Sequence, residues 1–147
     1  MSTAESARRE TLLLDTHTLL WLMLGDSKLG TLAGSAIQDA AQHAHVMISA
    51  ITPWEIALLV SKKKINLYKD VMVWVDEALA KPGVTLVGLE PEIAVESTRL
   101  PFEMHPDPAD RILVATARQL GATLVTSDRA LLELAVKGYF RACNAGD

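Results

Sequence analysis

Four short, almost wholly apolar bursts punctuate the chain, at Thr11–Leu14, Val46–Ile48, Thr85–Val87 and Thr123–Val125. Unbroken apolar character over so few residues is expected of strands buried on both faces. Between the bursts the hydrophobic spacing becomes helical. Leu29, Leu32, Ala33, Ala36, Ile37 and Ala40 follow the i, i+3, i+4, i+7 rhythm of a helix with one buried stripe. Val71, Trp74, Val75, Ala78 and Leu79 repeat it, with Asp70, Asp76, Glu77 and Lys81 turned outward. Leu113, Ala117 and Leu120 form a third stripe, closed by Gly121 as a C-terminal cap. Strands alternating with helices predict an α/β fold, a single domain whose parallel sheet is covered on both sides. Residues 1–10 carry no apolar period and are expected to form a mobile tail, which leaves 11–147 as the domain.

Composition narrows this picture without redrawing it. A chain of 147 residues suits one domain, with enough buried surface to need neither a disulfide nor a structural metal. The single cysteine, Cys143, has no partner within the chain and no secretory signal is read at its start, so a reducing cytoplasm is the expected compartment. Apolar runs stay far below the roughly 20 residues of a membrane helix, and a soluble protein is expected. The formal charge of −4 argues against gripping nucleic acid through the overall field, yet it permits an enzyme that meets phosphates through bound cations. The run Lys62, Lys63, Lys64 reads as a solvated helix end.

Candidate chemistry lies in the acids. Asp15 directly follows the first burst and Asp128 comes just after the fourth, in Thr126-Ser127-Asp128. Glu55 and Asp110 occupy a shared pattern, Thr52-Pro53-Trp54-Glu55 and Asp107-Pro108-Ala109-Asp110, in which a capping residue precedes proline and then an acid. All four therefore belong where strands leave the sheet or helices begin, the edge at which open parallel sheets bind ligands. A purely structural reading stands beside this one. Thr52 and Glu55 spell a capping box, Asp107 an ordinary N-cap, and Asp15 or Asp128 serve equally well as caps. Two features favour chemistry. Glu55 precedes Leu58 and Leu59, and Asp110 precedes Leu113 and Val114, so both head apolar stripes where an unpaired carboxylate is costly. Four acids from four segments also converge with no lysine or arginine placed to neutralise them all. A divalent cation would do so, and hard oxygen ligands suit Mg2+, with Mn2+ as a substitute. Metal-assisted phosphodiester hydrolysis follows from such a site. Of the four, Glu55 is the one most open to a structural role alone.

The segments LLLDTHTLLW (residues 12–21), ISAITPWEIALL (48–59) and DPADRILVATARQLGATLVTSD (107–128) resemble the PIN-domain nucleases. Among them the likeness is to the small bacterial and archaeal members, including the toxins of VapBC toxin–antitoxin pairs, and it runs from about Thr11 onward. The resemblance implies a parallel sheet of about five strands with a central acidic pocket holding Asp15, Glu55, Asp110 and Asp128. It implies that Thr126 positions water at the metal, that RNA is hydrolysed to leave a 5′-phosphate, and that the protein is a homodimer held in check by a small antitoxin. Asp107 is left open as a cap or an added outer acid.

Several neighbours remain to be weighed. His17 and His105 read as surface or hydrogen-bonding residues. Arg111 suits either an RNA phosphate or a salt bridge, and Trp21 and Trp54 read as core. Trp54, Leu58, Leu59 and Val60 suit a partner groove as an alternative. A haloacid dehalogenase-like phosphatase also sets an aspartate after its first strand, but it needs a second acid two positions later, where this chain has His17. A non-catalytic PIN-fold binding module is the remaining rival.

Overall fold

A computed structural model describes residues 10–147. The expected tail, residues 1–10, therefore lies outside the described residues except for Glu10. Five parallel strands, β1 (Leu12–Leu14), β2 (Val46–Ser49), β3 (Val84–Val87), β4 (Thr123–Thr126) and β5 (Arg141–Asn144), form one sheet in the order β3-β2-β1-β4-β5. Helices α1 (Thr16–Leu24) and α2 (Thr31–Gln42) connect β1 to β2, and α3 (Ile51–Ser61) and α4 (Val71–Leu79) connect β2 to β3. Then α5 (Pro91–Glu96) and α6 (Pro108–Leu120) lead to β4, and α7 (Arg129–Val136) leads to β5.

The period-two alternation of a strand divides the leucines of β1 between two cores. Leu12 and Leu14 face one layer with Val46, Ile48, Ile37, Ile56, Trp74 and Val75, whereas Leu13 faces the other with Leu113, Val114, Leu124 and Leu131. A sheet sandwiched in this way explains why β1 and β4 are buried along their whole length. The expectation of burial on both faces fails for β3, whose central residues are exposed because it is an edge strand.

The helical stripes are narrower than their spacing suggested. Ala33, Ile37 and Ala40 are buried on α2, but Leu32 is 72% exposed; on α6, Leu113 and Ala117 are buried while Leu120 lies outside. Trp74, Val75 and Ala78 of α4 are buried as expected. Gly121 caps α6 in the left-handed conformation, at φ 62°. Gly83 has φ 80°, and a Cβ there would run into the Ala41 carbonyl, so only glycine admits the close approach that starts β3. Asp70 caps α4 by accepting from the Met72 and Val73 N–H groups at 2.9 and 3.3 Å. Replacing it by alanine is expected to lower stability by about 1 kcal/mol, measured as a shift in the urea midpoint with an unchanged slope.

The topology locates the site. From β1 the chain builds outward through β2 and β3, then crosses back to lay β4 and β5 on the other side. The strand order thus reverses between β1 and β4, and a crevice opens beyond the carboxyl ends of those two strands. Asp15 follows one of them and Asp128 the other.

A candidate metal centre at the sheet edge

Each acid is delivered by a local device. Asp15 follows β1 and caps α1, its Oδ1 accepting from the Thr18 N–H at 2.9 Å. Asp128 caps α7 in the same way, Oδ1 accepting from the Leu131 N–H at 3.0 Å. Each cap engages one oxygen of the carboxylate for the backbone, and the carboxylate has a second to offer a cation. Asp107 caps α6 through the Ala109 and Asp110 N–H groups, which presents Asp110 at the third helical position.

The capping box expected at Thr52 and Glu55 does not form. β2 turns into α3 through Ala50, with the Ile51 N–H donating to Ser49 Oγ, so the helix begins before Thr52. Thr52 is inside the first turn, buried, with no hydrogen bond to its hydroxyl. Glu55 is therefore free of capping duty. Its Oε1 instead accepts a hydrogen bond from the Thr16 hydroxyl on α1, which ties α3 to the end of β1.

Asp15, Glu55, Asp107, Asp110 and Asp128 line one pocket of about 280 Å3, completed by Thr16, His17 and Ser127. Among the described residues, no lysine or arginine lines it. Burial raises the Asp110 carboxyl first, and the charges of Asp107, Glu55, Asp128 and Asp15 add to this, pushing it up to about 7. Glu55 is also raised by burial; the Thr16 hydroxyl pulls it back, while Asp107 and Asp15 push it further up. Crowded carboxylates that resist ionisation are what a pocket built for a divalent cation looks like without the ion's charge, and the all-oxygen donor set fits Mg2+ or Mn2+. His105 does not line the pocket but brings a nitrogen beside it. Its Nε2 is 3.4 Å from Asp110 Oδ2, and a donor atom of Asp128 falls within 4.8 Å of both.

The other expected residues are placed differently. Thr126 is fully buried and does not line the pocket; its Oγ1 accepts from the Asp128 N–H at 3.1 Å, bracing the turn that delivers Asp128. Arg111 does not line the pocket and donates to the Ser97 and Met104 carbonyls at 2.9 and 3.4 Å. Trp21 packs against the core, but Trp54 is 52% exposed, contrary to the core reading. Thr16 and Ser127 escaped sequence reasoning because a hydroxyl beside an acid has no period or spacing to mark it. A larger depression of about 840 Å3 along β5 offers, among the described residues, only Glu10 and Asp147 as carboxylates and carries no comparable chemistry.

A parallel sheet in this order with acids at its switch point defines an α/β fold with an acidic pocket, and comparison with known proteins places it. The PIN domain model matches residues 12–137, and the chain belongs to the PIN domain family. PIN-domain ribonucleases are metal-dependent and work through an acidic site. Ribonuclease VapC22 of Mycobacterium tuberculosis is 37% identical over 121 residues, covering 82% of this chain and 89% of that protein. The fold is shared with the DNA-bound VapBC of Salmonella typhimurium, with a TM-score of 0.64, 15% identity and coverage of 92% and 98% of the two chains. FitAcB of Neisseria gonorrhoeae is similar, with a TM-score of 0.59, 22% identity and coverage of 91% and 97%. No helix among the described residues is long and apolar enough to cross a membrane.

Proposed function

We propose that the protein is a metal-dependent endoribonuclease, the toxin of a VapBC-type toxin–antitoxin pair acting in the cytoplasm. The observation that carries this reading is the convergence of Asp15, Glu55, Asp110 and Asp128 at the strand-order switch, with no lysine or arginine among the described residues lining the pocket. These four would hold Mg2+, with Mn2+ as a substitute, and Asp107 stands beside them as an outer acid. The bound ion supplies acidified water and charge stabilisation for phosphodiester hydrolysis. The chain's own contribution is orientation. Backbone N–H groups fix Asp15 and Asp128, the Thr16 hydroxyl fixes Glu55, and Thr126 braces the turn before α7. Without a cation the acidic pocket repels an RNA backbone, so substrate binding and metal loading are coupled.

VapC22, a ribonuclease, supports the reaction class, and the VapBC and FitAcB neighbours support a small antitoxin partner. The exposed Trp54 and the half-buried Leu58 one turn later give α3 an apolar outer face suited to a protein partner or to homodimer formation. Incubated with total RNA and Mg2+, the purified protein is expected to cut at discrete positions, leaving 5′-phosphates in mapped ends, and to stop when EDTA is added. RNA left intact in both Mg2+ and Mn2+ would remove the nuclease reading. Growth arrest on expression, relieved by the product of a small adjacent reading frame, tests the toxin role.

A further inference from the structure

We infer that His105 is a nitrogen ligand of the cation held by Asp110 and Asp128, and that it tilts the pocket toward borderline divalent ions such as Zn2+ and Co2+ over Mg2+. The inference rests on the acidic pocket being a cation site. Three features of the chain carry it. The first is spacing. His105 Nε2 stands 3.4 Å from Asp110 Oδ2. Two donors held on one ion at about 2.1 Å stand roughly 3.0–3.4 Å apart, from octahedral to tetrahedral geometry. The His105–Asp110 separation matches the upper end of that range, and Asp128 brings a third donor within 4.8 Å of both.

The second is how His105 is held. It lies in the segment between α5 and α6, on the chain before Asp107, and would swing freely without an anchor. Arg111 supplies one. Its guanidinium reaches back from α6 to the Met104 carbonyl next to His105 and to Ser97 at the end of α5. Because Arg111 adjoins Asp110 on the same helix, the imidazole and the carboxylate are set in register by one rigid element. This gives Arg111 a positioning role in place of the RNA phosphate contact or salt bridge weighed for it.

The third is chemistry. Imidazole suits Zn2+ and its borderline relatives, whereas Mg2+ demands oxygen donors and keeps its waters. One nitrogen added to an acidic set therefore raises affinity for the former and leaves the latter almost untouched.

Titrating the full-length protein with Co2+ and with Mg2+ by calorimetry, and following the visible absorption of bound Co2+, tests this directly. Against wild type, His105→Ala and His105→Gln are expected to weaken Co2+ binding about 10–100-fold and change its spectrum, with Mg2+ affinity held within about twofold. Circular dichroism of both variants monitors folding. Equal Co2+ affinity in all three proteins overturns the role of His105 and leaves the pocket a cation site. Parallel loss of Mg2+ and Co2+ also overturns the selectivity. If wild type binds neither ion, this inference and the metal-site reading fall together.

Discussion

Asp15→Asn is expected to lower magnesium-dependent RNA cleavage at least roughly 100-fold while leaving the chain folded. Residues that merely orient metal ligands already cost about 10–100-fold when removed, so loss of charge at a ligand itself costs more. Asparagine is the informative replacement. Its amide oxygen still accepts from the Thr18 N–H, so α1 keeps its cap and the shape of the pocket is retained. Alanine would remove cap and charge together and blur the two. Initial cleavage rates at saturating Mg2+, measured beside thermal unfolding curves, separate the effects. A variant that cuts as fast as wild type would refute the proposed chemistry.

The second large effect concerns Asp110 and runs in the opposite direction for stability. Its carboxyl sits at about 7 in the folded chain against an ordinary value of 3.8, for want of solvent and because of the neighbouring acids. Between those values the unfolded chain has released a proton that the folded chain still holds. Folding stability must therefore fall as pH rises through this window and level off above it. Asp110→Asn has no proton to release. In EDTA it is expected to match wild type near pH 4 and to exceed it at pH 8 by roughly 1–3 kcal/mol, after allowance for solvent screening in a partly open pocket. For a domain of this size that is roughly 2–12 °C in Tm. The same variant should be inactive. Urea midpoints in EDTA across the pH range provide the check; a pH-independent difference between the two proteins would contradict the electrostatic origin. Divalent cation added to wild type at pH 8 should recover part of the gap.

Much of this architecture was legible in the chain. β1, β2, β3 and β4 announce themselves as apolar bursts because three of them lie inside the sheet and the fourth keeps two hydrophobic ends. β5, Arg141–Asn144, gives no such signal, since an edge strand with one neighbour needs few apolar residues. Short α5 and α7 offer too few turns for a period to emerge. Trp54 misled for a different reason: α3 is apolar around nearly its whole circumference, so spacing gives no direction and a large aromatic defaults to the core. At the site, Asp15 and Asp128 could be placed from strand ends alone. Glu55 could not, because Thr52-x-x-Glu55 imitates a capping box that the tight turn from β2 pre-empts. The expectation that Glu55 is the acid most open to a structural role drew on that box. With the box absent, its contact is the Thr16 hydroxyl at the end of β1. Arg111 followed the acids in sequence, yet a helix sends adjacent residues about 100° apart, and its side chain serves the backbone instead.

The caps at Asp15 and Asp128 have a consequence for inheritance. Aspartate and asparagine codons differ by a single base, and at both positions the asparagine amide can do the structural work of the carboxylate. One transition in the gene would thus convert an active copy into a folded, inert one, still presenting its surface to whatever binds it. Lineages in which cleavage becomes a burden should accumulate silenced chains that persist as intact proteins, and Asp15 and Asp128 are where those changes should first be sought.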